Sequence, residues 1–342
     1  MRTLNVTTSS IQDVAFHPSG RELAVCVPGT LQAETEPREE PRIVWFNTHS
    51  WESQRELRVL DCARGCTWVE DADGEHDVTE PRESFPNGPT AFSLSTNQKQ
   101  VVLAWPAMIS GKWQQISYWN VETGTGDGPT LGPRESYVNC LRFSSTGNEV
   151  LGREFSPWNE RESWGFLGRL SRVYFREKVS ALAFAPNDMT VAYGTPRGHI
   201  RMWSVPSELG ERYLELPNED PGDLVRESGP AVRVLSFSSA GGSLAIGTET
   251  SVGLWDLAGK ATRWENESDG ETTALAYHPA GTMLAVARSD GAAVFLDALT
   301  GKVLHRYAWK VGQLNSVAFS PDGLTCAAGG EKGQVVVWDV DV

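Results

Sequence analysis

The seven residues VAFHPSG beginning at Val14 return almost unchanged as VAFSPDG beginning at Val317. A chain that writes one short motif near both ends is built from repeats, and repeats constrain a fold more tightly than composition does. The signature recurs as LRFSSTGNEVLGRE from Leu141, LAFAPNDMTVAYGT from Leu182, LSFSSAGGSLAIGT from Leu235 and LAYHPAGTMLAVAR from Leu275, with a weaker copy, AFSLSTNQKQVVLAW, from Ala91. In all seven copies an aromatic slot is followed seven positions later by a second apolar residue: Phe16/Leu23, Leu94/Val101, Phe143/Val150, Phe184/Val191, Phe237/Leu244, Tyr277/Leu284 and Phe319/Cys326.

Each unit reads as a hairpin. Alternating apolar residues before the aromatic predict a half-buried strand, Pro-Asp-Gly or Pro-Ser-Gly supplies a tight turn, and the second apolar run returns. A third strand is marked by Trp45, Trp119, Trp164, Trp203, Trp255, Leu296 and Trp338. Blade-period recurrence makes these third-strand Trp residues packing groups. The 342 residues with 13 Trp, 33 Gly and 19 Pro fit many short strands joined by tight turns.

With these motifs in view, the chain resembles the WD40-repeat family over nearly its whole length; Trp255-Asp256 and Trp338-Asp339 are the two full Trp-Asp pairs, and Leu296-Asp297 keeps the Asp alone. The resemblance implies an all-β fold: a single seven-bladed propeller of four-stranded antiparallel blades spanning 1–342. It also implies ring closure by an N-terminal strand at 2–7, because the sequence VVVWDV is the third strand of the last blade. The ends share a motif because they belong to neighbouring blades. The family's Gly-His before the first strand is absent, and its turn Asp stands only at Asp290, with Arg197 and Lys332 in the equivalent slots. Hydrophobic packing between blades is therefore expected to replace the family's buried polar network.

Function in repeat proteins resides in what does not repeat. Five insertions, at about 28–41, 61–88, 105–115, 153–162 and 217–231, lie between second and third strands or between blades, which places all of them at one end of the propeller. Between Glu34 and Glu83 the chain carries 14 acidic and 6 basic residues, a net of −8 out of −14 for the whole. The inserted loops also hold Trp68, Trp105, Trp113 and Trp158. Trp105, Trp113 and Trp158 read as apolar anchors, and Glu34, Glu36, Asp71, Asp73 and Asp77 as the source of a negative field suited to a basic protein or peptide. Arg153, Arg197 and Arg288 fall near the same loops by repeat alignment. The competing reading, in which these Trp pack the loops down and the acids keep the surface soluble, stays open.

Nothing reads as catalytic machinery, and the chain is expected to be no enzyme and to need no cofactor. Cys62 and Cys66, near His49 and His76, lack the spacing and second pair of a zinc site. The run Asp71–Asp77 alternates carboxylates like a calcium loop, but the twelfth position is Arg82 rather than an acid. The glycines at 124–128 follow a strand and precede no helix, so they read as a turn and not a phosphate cradle. GxSxG, HExxH and a phosphate-loop Lys are absent.

Five Cys, an odd number, fit a reducing compartment, and the start of the chain has no signal-peptide apolar run, so a cytoplasmic location is expected. No stretch has the length of a membrane span, and the negative charge disfavours nucleic acid and anionic lipid. A closed ring exposes no long edge, which favours a monomer. The sequence thus predicts a non-catalytic interaction scaffold in the cytoplasm. The alternative is a propeller that binds a small molecule or metal, or performs a hydrolysis, around its central opening. A third possibility is a purely architectural subunit that binds through its sides.

Overall fold

In the computed structural model of the protein, all seven aromatic-to-apolar pairs are cross-strand neighbours, from Phe16 opposite Leu23 to Phe319 opposite Cys326. A spacing of seven is what a hairpin with a short turn requires. The structure describes residues 1–28, 41–58, 69–71, 74–76, 91–109, 112–123, 125–126, 131–134, 137–144, 150–156, 161–167, 172–174, 178–187, 190–204 and 223–340.

Six four-stranded sheets and one of five strands follow one another along the chain, together with a small hairpin of Val69–Asp71 and Gly74–His76; no helix occurs among the described residues. The fifth sheet shows the common plan, with Val232–Phe237, Ser243–Thr248, Ser251–Asp256 and Ala261–Glu267 in simple antiparallel order. The last sheet is completed by the other end of the chain. Arg2–Asn5 pairs antiparallel with Gln334–Asp339, setting Leu4 opposite Val335, and Gln334 Nε2 donates to Asn5 Oδ1 at 2.8 Å.

Burial grades across each sheet in a way the sequence explains. Second strands such as Leu244–Thr248 and Met283–Arg288 are buried throughout, because both faces meet other sheets. Their continuous apolar runs are the expected mark of such strands. Fourth strands such as Ser53–Arg58 and Val303–Ala308 are polar and largely exposed, as outer edges. Adjacent sheets press together closely: a Cβ on Gly194, Gly247 or Gly329 would lie 2.4 Å, 2.5 Å and 2.5 Å from Val232, Thr272 and Ile11 of the next sheet.

The hairpin turns also follow the motif. Gly20, Gly241, Gly281 and Gly323 adopt φ of 71°, 71°, 72° and 75°, each donating its N–H back across the turn. In the weak second copy Gln98 takes this place with φ 56°. Its amide offsets the strain by accepting from Trp45 Nε1 at 2.9 Å and donating to Ala15 O at 2.8 Å, which ties the first sheet to the second. The residue after the third-strand marker has a local task as well. Asp297 accepts from the N–H groups of Leu299 and Thr300 and from Thr300 Oγ1, and these bonds hold its carboxyl below the usual range. Asn47 and Asn120 cap equivalent turns.

Two third-strand assignments require correction. Trp119, Trp203, Trp255, Leu296 and Trp338 do stand opposite their second-strand markers. In the first sheet, however, Phe46 faces Leu23 and Trp45 lies opposite Ala24. A one-residue slip turns a side chain to the other face. Trp45 accordingly packs forward onto Phe92 and Trp119 of the second sheet, whereas Trp338 packs back onto Phe295 of the preceding one. In the third sheet Leu167 is opposite Val150, and Trp164 is opposite Arg153.

Candidate functional site

Strand direction alternates in these sheets, so the connections between second and third strands and those between successive sheets emerge at one end. That end carries the insertions. Of the segments at 105–115 and 153–162, expected as loops, the described residues 105–109, 112–115, 153–156 and 161–162 are instead extensions of paired strands. Gln100–Ile109 and Lys112–Asn120 are 10 and 9 residues long, with Trp105 opposite Gln115 and Ile109 opposite Lys112. Four residues more than the 6 of Ser243–Thr248 carry this arm roughly 13 Å further. Val150–Ser156 and Arg161–Leu167 form a shorter arm of 7 residues each. Spacing alone does not distinguish a longer hairpin from a longer loop.

Trp105 and Trp113 therefore share one arm, Trp113 at the register shift between Lys112 and Gln114. Asp71 ends the strand Val69–Asp71, which runs against Leu131–Arg134, the strand paired to the same arm. Arg153 occupies the slot three residues after the second-strand marker, where Cys26, Ala104, Gly194, Gly247, Ala287 and Gly329 stand elsewhere. Arg197 lies in an exposed turn between Thr190–Gly194 and Ile200–Ser204. Trp158, Glu34, Glu36, Asp73 and Asp77 lie outside the described residues, as do Trp68, Cys62 and Cys66.

Arg288 is only 4% exposed and is held internally, with Nη2 at 3.0 Å from Asp290 and 3.8 Å from Asp269. Arg306 joins both carboxylates at 3.1 and 3.4 Å. Nearby, Arg233 reaches Glu249 at 2.5 Å and Glu271 at 2.8 Å. In this sector three arginines pair with four carboxylates, a nearly neutral set, unlike the acidic segment read from 34–83.

The first strands line a central channel, and the residue four before each aromatic slot forms its rim. Ser180 Oγ donates to Val232 O at 2.6 Å, Thr273 Oγ1 to Leu314 O at 2.5 Å and Asn315 Nδ2 to Ile11 O at 3.0 Å. Each bond joins one sheet to the next by the same geometry, and the last joins the C-terminal sheet to the first. Thr273, Asn315 and Arg233 sit at β-bulges, which re-aim a side chain from the strand. Arg233 leaves the pattern and turns outward to its glutamates.

Below this rim lies a cavity of about 330 Å³ whose walls include Asp13, Arg142 and Arg233. Motif reading passed over these residues. Their signal was in the repeat alignment, where the slot of Asp13 is otherwise Ala91, Cys140, Ala181, Val234, Ala274 or Ser316, and that of Arg142 is small in every other copy. Asp13 is exposed to the channel, and desolvation by the protein crowded around it pushes its carboxyl up, opposed by the Arg142 charge. Burial likewise pushes up the Cys26 thiol, across the strand from Asp13, and that of Cys326. Both thiols stay protonated, unlike a catalytic thiolate. Among the described residues no cluster of three or more His, Cys, Asp or Glu is placed to hold a metal.

Four-stranded antiparallel sheets set around a channel, with the two chain ends sharing one sheet, define a β-propeller. Comparison with known proteins gives the family. The model of the anaphase-promoting complex subunit 4 WD40 domain matches residues 253–315, and that of the WD domain, G-beta repeat, matches 301–339. The chain is 27% identical to the guanine nucleotide-binding protein subunit beta of Oryza sativa subsp. japonica over 72% of its own length and 64% of that protein. It is 30% identical to the human echinoderm microtubule-associated protein-like 2 over 29% of its length, and 23% identical to the Chlamydomonas reinhardtii cilia- and flagella-associated protein 52 over 59%. The matches span only 15% and 32% of these last two proteins. These matches and the sheet architecture support a WD40-repeat β-propeller family for the chain.

Proposed function

We propose that the protein is a non-catalytic interaction scaffold, a seven-bladed ring that presents its expanded end to a basic protein or peptide. The observation that carries the reading is the placement of the additions. The long arm with Trp105 and Trp113, the shorter arm with Arg153 and the hairpin whose first strand ends at Asp71 all lie at one end. The opposite end keeps short glycine turns. Loops and arms on a rigid ring are where such scaffolds vary, and exposed Trp makes an effective anchor. Seven-blade closure is supported by the rim bond from Asn315 to Ile11 O and by the pairing of Arg2–Asn5 with Gln334–Asp339. The names of two relatives point the same way, one as a subunit of a larger protein and one as microtubule-associated; we carry over only that such propellers work through protein partners.

The test is affinity capture from lysate with the wild type and a W105A/W113A/W158A variant shown to be folded by circular dichroism. A partner captured by the wild type and lost by the variant supports the reading. Equal capture by both would place binding elsewhere on the ring.

A further inference from the structure

The channel cavity carries a second inference, independent of any protein partner at the expanded end. Its two inner charges are departures from the repeat. Asp13 stands where the other described sheets have Ala181, Val234, Ala274 and Ser316, and Arg142 where they have Ala15, Ala183, Ser236, Ala276 and Ala318. Small residues are enough to build the wall, so packing does not call for either charge.

Nor do the two charges satisfy each other. Among the described residues the Asp13 carboxylate accepts a hydrogen bond only from the Val14 N–H, at 2.9 Å. Arg142 Nη1 donates to Leu141 O at 3.0 Å, and the rest of its fork is free. The pair is close enough to feel each other's field but does not reach ion-pair distance. Gln12 at the rim also has a side-chain amide without a protein partner. Asp13 and Arg142 both face the open channel and are reached by solvent, and the protein crowded around Asp13 pushes its carboxyl up; opposite charges standing open in a cleft mark a candidate binding site. A ligand of one sign would leave the opposite charge unmatched. At about 330 Å³ the cavity is near the lower end of the roughly 300–1,000 Å³ typical of small-molecule sites, which selects a compact ligand.

We propose that this cavity binds a small zwitterion, a free α-amino acid, with its ammonium group on the Asp13 carboxylate and its carboxylate on the Arg142 guanidinium. The bidentate fork of arginine suits a carboxylate, and Gln12, which also lines the cavity, adds an amide that can both donate and accept.

Thermal denaturation with each standard L-α-amino acid at about 10 mM tests it, because a ligand that binds only the native state raises Tm by mass action. The wild type should show a saturable increase with at least one amino acid. D13A and R142A, which install the residue type native to equivalent slots and so should fold, should each lose it. The decarboxylated amine and the deaminated acid of the same ligand should bind at least about tenfold more weakly by titration calorimetry, since each abandons one charged contact. The absence of any shift in the wild type would overturn the proposal. So would a shift that survives both substitutions, or one-charge analogues that bind as well as the zwitterion. The cavity is lined by first-strand residues, whereas the partner reading rests on the additions at the expanded end. Failure here therefore leaves the partner reading standing, and the reverse also holds.

Discussion

The sheets at 232–339 and those at 91–174 share one strand order but put their residues to different use. In the C-terminal sheets nearly every strand is 6 residues long, and the turn glycines recur in register. In the second and third sheets the middle strands lengthen to 10 and 7 residues, and the turn glycine of the second is replaced by Gln98. The regular region repeats one blade plan and pairs the two chain ends in a single sheet. The elaborated region accepts strain and extra length that the ring does not need, and such departures are the places to look for function.

The largest effect should come from attacking the regular region at its joint. Deleting residues 1–7 strips the strand that covers Val335 and Val337 and removes the Asn5–Gln334 bond. A loss of about 4 kcal/mol or more is expected in chemical denaturation. A Tm unchanged within a degree would mean that closure at these ends does not hold the fold. Next comes Trp45→Ala, at the seam between the two regions. The side chain is 1% exposed, so a loss of ~3–5 kcal/mol is expected. If Phe46→Ala costs much more than Trp45→Ala, the exchanged facing of these two residues is not what sets the seam.

Gln98→Ala should be milder, at about 2–3 kcal/mol, because it breaks two buried hydrogen bonds and leaves the Trp45 Nε1–H unpaired. Gln98→Gly should recover part of that loss, because glycine adopts φ 56° without strain. Equal losses for the two variants would show that backbone strain at this turn is negligible.

Asp13→Ala tests the channel, with a small effect of opposite sign. Burial raises the folded-state pKa of Asp13 above its unfolded value, so the folded chain holds this proton more tightly. Its ionisation therefore destabilises the fold as pH rises through that interval. In the absence of ligand the variant should be more stable than the wild type at neutral pH, and the gap should close as pH falls toward the ordinary carboxylate range. A gap that widens on acidification would mean that the carboxylate is stabilised in place.

Much of this architecture was legible because hairpin geometry repeats in sequence. A separation of seven between Phe16 and Leu23, or between Phe319 and Cys326, translates directly into cross-strand pairing. Three features were not legible. The slip at Trp45 depends on its long-range partners Gln98 and Trp119, which local spacing does not encode. The stretch around Trp105 and Trp113 contains Pro106 and reads as a loop, yet Pro106 pairs in register with Gln114. Asp13 and Arg142 lie in strands of different sheets, and only the arrangement of those sheets around the channel brings them to one cavity.

The most direct test of the central claim is to trim the long arm and measure what is lost. Replacing residues 105–115 by Asn-Gly joins the paired residues Ala104 and Ile116 through a two-residue turn and leaves the blade beneath intact. Stability should change by less than about 1 kcal/mol, as for other exposed segments, while the partner captured by the wild type should disappear from quantitative affinity purification. A trimmed protein that folds equally well and captures that partner undiminished would contradict the assignment of the expanded end as the working face.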